Sequence, residues 1–301
     1  MSGVSRSARA WIAALRPRQW VKNLLVFAAP LAAGDLLDPR VIAASLVAFV
    51  SFVLASSATY LINDVVDADQ DREHPEKRKR PVSSGAIGSR AAVTVAIVLG
   101  ALALACGLLA NVGLVAVVAM YLVISIAYSL RLKHEPVIEL ALLSAGFLLR
   151  AIAGGVAAQI YLSPWFLLVT GFGSLGIAAG KRYGELVVQE EAVAGGSVHL
   201  GATRRSLAGY TLTYLRFVWT LSAAVTVTTY CLWAVEVGQP SAALPWTLLS
   251  IIPFVLAVMR YGVDLDAGRT EAPEEVVLRD RALLALGLAW LVLFAAGTVG
   301  L

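Results

Sequence analysis

Apolar runs of membrane-spanning length, divided by short polar connections, leave few folds open to this chain. A membrane helix needs about 20 mainly apolar residues. Nine candidate runs fall at 20–33 (short), 41–62, 91–110, 112–130, 136–158, 164–179, 212–235, 245–261 and 282–300. In hydrocarbon every backbone N–H and C=O needs an internal partner, which selects helices over open strands. The alternation of a lipid-facing barrel strand is absent. Composition agrees. The chain is 59% hydrophobic and 15% charged, whereas soluble domains carry about 45–50% and roughly 25%. The expectation is an all-α polytopic membrane protein, one transmembrane domain over 1–301. No cleavable signal peptide is expected, because the first apolar run lacks a small-residue cleavage site. Cys106 and Cys231 lie in apolar runs and read as small fillers.

The charges divide the connections into two classes. Connections 34–40, 111, 159–163 and 236–244 hold a single basic residue, Arg40. Connections 63–90, 131–135, 181–211 and 260–281 hold nearly all the rest, and 1–19 adds Arg6, Arg9, Arg16 and Arg18. By the positive-inside bias the amino terminus is cytoplasmic and the carboxyl terminus outside, with the plasma membrane as the expected location. That bias explains bases and not acids. Yet of twenty Asp and Glu only Asp35, Asp38 and Glu236 fall on the outer side. Both signs on one face read as an aqueous working face, with 63–90 and 181–211 as its main loops. Those loops lie four helices apart, suggesting two similar helix groups around a central cavity open to the cytoplasm.

The densest chemistry is the run Asn63-Asp64-Val-Val-Asp67-Ala-Asp69-Gln-Asp71. At helical spacing Asn63, Asp64, Asp67 and Asp71 fall within about a 100° arc, with Asp69 and Glu73 turned away. Stacked carboxylates repel each other, and at a helix carboxyl end they oppose the dipole. A hard divalent cation removes that repulsion, and oxygen-only ligands suit Mg²⁺ shared with substrate phosphates. The plainer alternative is a solvated acidic helix end. Acids at a lipid boundary are costly and usually functional, which favours Asn63, Asp64, Asp67 and Asp71 as metal-binding, catalytic residues.

Asn-Asp-x-x-Asp-x-x-x-Asp after a second membrane helix, followed by Lys77-Arg78-Lys79-Arg80-Pro81, resembles the UbiA superfamily of intramembrane prenyltransferases. The resemblance covers essentially the whole chain. It implies a nine-helix UbiA-like fold and an acidic motif holding Mg²⁺ against a donor diphosphate.

One departure narrows the resemblance. Aromatic-acceptor members carry a second Asp-rich motif after the sixth helix, where this chain has Lys181-Arg182-Tyr183-Gly184-Glu185. That segment, Arg16-Pro-Arg-Gln-Trp-Val-Lys22-Asn23 and Tyr214-Leu-Arg216-Phe-Val-Trp219 are similar to the phosphoribosyl-transferring branch of the family. The implied reaction moves 5-phosphoribose from phosphoribosyl diphosphate (PRPP) to a polyprenyl phosphate such as decaprenyl phosphate, releasing diphosphate. The implied role is arabinose supply for the actinobacterial cell wall. Three phosphate groups call for cationic clamps, bidentate from Arg and point-like from Lys. Lys22, Lys77, Arg78, Lys79, Arg80, Lys181 and Arg182 are candidates, with Tyr183 and Glu185 near the ribose. A Lys181–Glu185 pair at i,i+4 is the plainer reading of that segment.

Arg150 lies deep in the fifth apolar run and is expected to face the cavity, paired with Glu139 or with a phosphate. Arg260 and Asp264 read as an i,i+4 pair in a charged loop with Asp266 and Asp280. His134 and Glu135 read as a solvated loop end, His74 beside Pro75 as shaping a turn, and His199 carries no signal. Trp20, Trp165 and Trp246 fit an interfacial belt. Membrane lipids are the expected surroundings, nucleic acid is not an expected partner, and a homo-oligomer is compatible with the reading. The competing enzyme is a prenyltransferase acting on an aromatic quinone precursor. A transporter is the alternative of another class, although acids at the midplane would suit it better.

Overall fold

The computed structural model describes residues 2–73, 75–194, 207–237, 244–270, 276 and 279–299. His74, His199 and the expected loop positions 195–206 and 271–275 lie outside them. The described elements are helical. Helix α1 covers Ser2–Leu15, and a 3-10 helix, Pro17–Phe27, leads into the short α2, Ala28–Ala33. Then come α3 (Pro39–Val66), α4 (Ala68–Glu73), α5 (Ser89–Gly107), α6 (Val112–Leu130), α7 (Ile138–Ala158), α8 (Pro164–Ala194), α9 (Leu212–Val237), α10 (Trp246–Asp266) and α11 (Arg281–Val299).

Seven of these, α3, α5, α6, α7, α9, α10 and α11, are long and apolar enough to cross a membrane. The chain is an integral membrane protein. Helix α8 is longer still and packs between α7 and α9. Its glycines and the polar Lys181–Glu191 stretch dilute its hydropathy. The first expected span, 20–33, is not one helix. It divides into the end of the 3-10 helix and α2, a six-residue helix closed by Gly34 at φ 77°. A 3-10 helix bonds itself poorly and is held by what it packs on, and this one packs on α3 and α7. A Cβ at Gly154 of α7 would overlap the Val26 carbonyl, so the two backbones meet with no side chain between them.

Two of the expected loops are shorter than the sequence suggests. Helix α8 runs fourteen residues into 181–211, because Arg182, Tyr183 and Leu186 are buried there. Segment 63–90 holds the end of α3, all of α4 and a 3-10 turn at Lys77–Lys79.

The chain runs up and down, and the contacts sort its connections to two ends. At one end α3, α7, α8, α9 and α10 bring their charged termini together through Lys133–Asp67, Arg182–Glu139 and Arg216–Asp266. At the other, Asn111 donates to the carbonyls of Val156 and Ala157, and the Trp165 indole donates to Glu236 at 2.7 Å. Apolar clusters lie between these ends, one around Phe52 and Leu114 and another around Leu215 and Leu265. An aromatic cluster of Tyr230, Trp233, Phe254, Trp290 and Phe294 fills the far side. Helices α10 and α11 pack together, and α2 touches both α7 and α11, closing the bundle.

Candidate active site

The carboxylate run sits where α3 ends. Asp67 caps that helix at φ −89°, ψ 0°, and α4 continues the chain at an altered angle. The backbone still bonds Asp67 N to Asn63 O at 2.9 Å and Asp71 N to Asp67 O at 2.8 Å, so Asp64 and Asp71 keep one face. Both are buried, Asp64 to 1% exposure, while Asp69 and Glu73 face out. Arg16 pairs with Asp64. Arg80 Nη1 lies 3.3 Å from Asp64 Oδ1 and 2.7 Å from Asp71 Oδ2. Two carboxylates thus converge on one cationic nitrogen.

Asp67 behaves differently from the expected stripe. It pairs with Lys133 and accepts a 3.0 Å bond from Asn63 Nδ2. Among the described residues no three acidic, His or Cys side chains converge on one point. The break at Asp67 is the reason: it swings that carboxylate from the Asp64–Asp71 face toward the α6–α7 connection. The donor set is oxygen-only and two of its members already share a cation, which fits Mg²⁺. Such an ion completes its coordination with water and substrate phosphates. Asp64 and Asp71 are the residues that would hold it, with Asp67 and Asn63 adjacent.

Of the basic segment, Arg80 reaches both Asp64 and Asp71. Lys79 binds Glu76 at 2.9 Å, Arg78 is exposed and Lys77 is half-buried. Arg16, Lys133 and Glu139 carry the site's remaining pairs, and none was assigned such a role from sequence. Arg16 stood in a quoted motif. The only signal for Lys133 and Glu139 was a charge at the end of an apolar run.

A second charged centre lies on α8. Arg182 is 1% exposed and pairs with Glu139 of α7 and with Glu185 one turn on. Glu185 thus has Arg182, one turn before it, as an ion-pair partner. Arg182 is enclosed by protein because its spacing turns it toward α7, about 100° from Lys181. Tyr183 is buried and its phenol accepts a 2.8 Å bond from Arg216, which also binds Asp266 at 2.7 Å. Next to Glu139, Val137 has φ 67°, an unusual conformation for a β-branched residue. Its N–H donates to the Tyr210 phenol at 2.8 Å. Burial pushes that phenol up to about 12, so it is protonated at neutral pH.

Lys181 faces a cavity of about 520 Å³ between α7, α8, α9 and α10. Lys22, from the 3-10 helix, lines the same cavity with Phe147, Trp219, Phe254 and Tyr261. Two amines thus enter a space with otherwise mostly apolar walls. Arg16 and Lys22 are six residues apart on the 3-10 helix, about 12 Å at its ~2.0 Å rise, so that helix joins the carboxylate centre to the cavity.

Arg150 does not line this cavity, and Glu139 is not its partner. Its Nε donates to Asn23 Oδ1 at 2.8 Å, Nη2 to Tyr121 OH at 2.9 Å and Nη1 to Gly146 O at 2.6 Å. Glu139 lies nearer Arg182, on the polar end of α7. Arg260 binds Asp280 at 2.7 Å with the Asp264 charge also acting on it, and Asp264 binds Arg269 at 3.0 Å. Helix α10 ends at Asp266 and folds its loop back onto α8, where Thr270 donates to the Gly180 carbonyl.

Comparison with known proteins agrees with this architecture. Residues 24–276 match the UbiA prenyltransferase family. The chain is 49% identical to decaprenyl-phosphate phosphoribosyltransferase of Mycobacterium tuberculosis, over 95% of this chain and 93% of that protein. It is 48% identical to the protein of that name from Corynebacterium glutamicum, over 93% and 83%. Among solved structures, a UbiA homolog from Archaeoglobus fulgidus bound to GPP and Mg²⁺ superposes with a TM-score of 0.72 at 17% identity, covering 97% of this chain and all of that one. At that identity the likeness is one of fold. The chain belongs to the UbiA prenyltransferase family.

Proposed function

We propose that this protein transfers 5-phosphoribose from PRPP to a polyprenyl phosphate, decaprenyl phosphate in the natural case, releasing diphosphate. The observation that carries the reading is the 49% identity to a protein of that name over 95% of the chain. The site supports it independently. It combines a carboxylate pair suited to a metal diphosphate with a two-lysine, largely apolar cavity suited to a lipid phosphate. The proposed working face is cytoplasmic, which the basic loops support, and the proposed membrane is the plasma membrane. The product then serves cell-wall arabinose synthesis.

Mg²⁺ held at Asp64 and Asp71 would offset charge on the leaving diphosphate as a Lewis acid. Arg16 and Arg80 hold those carboxylates now and are placed to turn to diphosphate oxygens. Lys77 and Arg78 stand beside them for the donor. An oxygen of the acceptor phosphate attacks ribose C1, and the bond from C1 to the diphosphate oxygen breaks. The acceptor is already an anion, so no general base is needed. Direct displacement inverts C1, and the sugar develops oxocarbenium character. Lys22 meets the acceptor phosphate and Lys181 a sugar or acceptor phosphate, while the polyprenyl chain follows the apolar wall. Buried Arg182 and Tyr183, with half-buried Glu185, hold this part of α8 and so orient Lys181.

Incubation of purified protein with labelled PRPP, a polyprenyl phosphate and Mg²⁺ tests this. Label should move to the lipid phase. Label that stays aqueous, with activity on a prenyl diphosphate plus an aromatic acid, would select the aromatic-acceptor reaction.

A further inference from the structure

Arg150 is a cation within a membrane-spanning helix, 5% exposed, and no carboxylate pairs with it among the described residues. Its partners are neutral: the Asn23 amide, the Tyr121 phenol and the Gly146 carbonyl. The rings of Tyr121, Phe52 and Phe147 surround its guanidinium at 4.8, 5.7 and 5.8 Å. Well-packed apolar residues would fill such a place at least as stably. What only a guanidinium supplies is a planar fork of donors that fixes several elements at once. Here it joins the 3-10 helix, α6 and α7.

Two of those attachments lead to the cavity. Asn23 is fully buried, binds Ser56 Oγ of α3 at 3.3 Å through Nδ2, and directly follows Lys22. Phe147, one turn before Arg150, is a cavity wall residue. A 3-10 helix has little rigidity of its own, so the place of Lys22 depends on external anchors. Asn23 is the anchor next to Lys22 in sequence; the close approach of Val26 to Gly154 and the bond from the Trp20 indole to Ser57 Oγ of α3 at 3.2 Å hold the helix farther along.

We propose that Arg150 is a positioning residue for the lipid-phosphate end of the cavity, setting Lys22 through Asn23 and the wall through Phe147. It therefore governs affinity for the acceptor and leaves affinity for PRPP alone. This rests on the reading that Lys22 meets the acceptor phosphate.

The test is steady-state kinetics with PRPP and a short polyprenyl phosphate. Arg150→Lys keeps the charge and loses the fork. Its acceptor KM should rise about tenfold, the scale for losing an outer hydrogen-bond partner, with kcat and the PRPP KM within about twofold. Asn23→Ala should reproduce that split. Tyr121→Phe cuts the bond that does not lead to Lys22 and should change the acceptor KM by less than about twofold. An unchanged acceptor KM in Arg150→Lys, or an equal rise in both KM values, overturns the proposal. If Arg150→Lys does not fold, Asn23→Ala and Tyr121→Phe decide by the same criteria. If the wild type transfers no phosphoribose, the functional reading fails, and Arg150 is judged by thiol labelling of a Lys22→Cys protein. Its rate with a water-soluble maleimide should change when Arg150→Lys is added; an unchanged rate overturns the positioning role.

Discussion

At Asp64 a buried carboxylate is held by two arginines, each from a different segment. At Arg182 a buried guanidinium is held by two glutamates. The two centres share one end of the bundle and are built with opposite signs. They also differ in access. The partners of Asp64 are 24% and 28% exposed at Arg16 and Arg80; of the partners of Arg182, Glu185 is 19% exposed and Glu139 is 0% exposed, so the enclosed pair is Arg182–Glu139. Cations that reach water can let go of a carboxylate and take up an arriving anion. A pair with no water contact has no such exchange open to it. From this difference we propose that the first centre is a binding site and the second a girder, with Lys181 lining the cavity beside it.

The comparison can be broken experimentally. The largest effect should be on folding. Arg182→Leu removes the guanidinium from fully buried Glu139, and the melting transition in detergent should show a loss of about 3–5 kcal/mol. A stable Arg182→Leu protein that fails only in turnover would make Arg182 a substrate ligand instead. Asp64→Asn should do the reverse. Turnover should fall about 100-fold or more, close to 2.7 kcal/mol in barrier, with little change in melting, because Arg16 and Arg80 can rehydrate. Asp69→Asn, on the exposed side, is the matched control and should retain activity.

Lys181→Ala sharpens the division between neighbours on one helix. It should weaken binding of a phosphate-bearing substrate about tenfold, or 1.4 kcal/mol, without the folding defect of Arg182→Leu. Equal melting losses in both would dissolve the distinction between cavity face and girder face.

The smallest effect concerns an exposed pair. The hydrogen bond from Arg260 holds the Asp280 carboxyl below its ordinary 3.8, offset in part by burial, and the Leu283 and Ala282 N–H groups add to the lowering. A depressed folded value means the stabilisation is present above 3.8 and is lost as pH falls through the lower folded value. The protection of amides at the start of α11, relative to their intrinsic exchange rates, should therefore fall slightly below about pH 4, and Asp280→Asn should flatten that response.

The spans were legible because burying twenty apolar residues in lipid is a local property of the sequence. Eight of the nine candidate runs became long helices of the bundle. The first did not, since Arg16 at φ 54°, Pro17 and buried Asn23 commit that segment to a packed 3-10 helix. The Asp64–Asp71 face was legible for a similar reason: helical periodicity reaches reliably over one or two turns. Asp67 escaped it because the helix bends there. Arg150 was recognisable as a costly buried cation, yet its partner Asn23 lies 127 positions away.

By itself, then, the sequence determined a helical membrane protein whose acids and bases gather at one end, and it marked Asn63, Asp64, Asp67 and Asp71 as one polar stripe. Hydrophobic length and helical period act over neighbouring residues and need no fold to be read. Only the tertiary structure decided which charge meets which: Arg16 with Asp64 across 48 positions, Lys133 with Asp67 across 66, and Arg182 of α8 with Glu139 of α7. Any base at the polar end could satisfy any acid by charge alone. Helix packing chooses among them, because it sets which side chains share a buried space and which keep water.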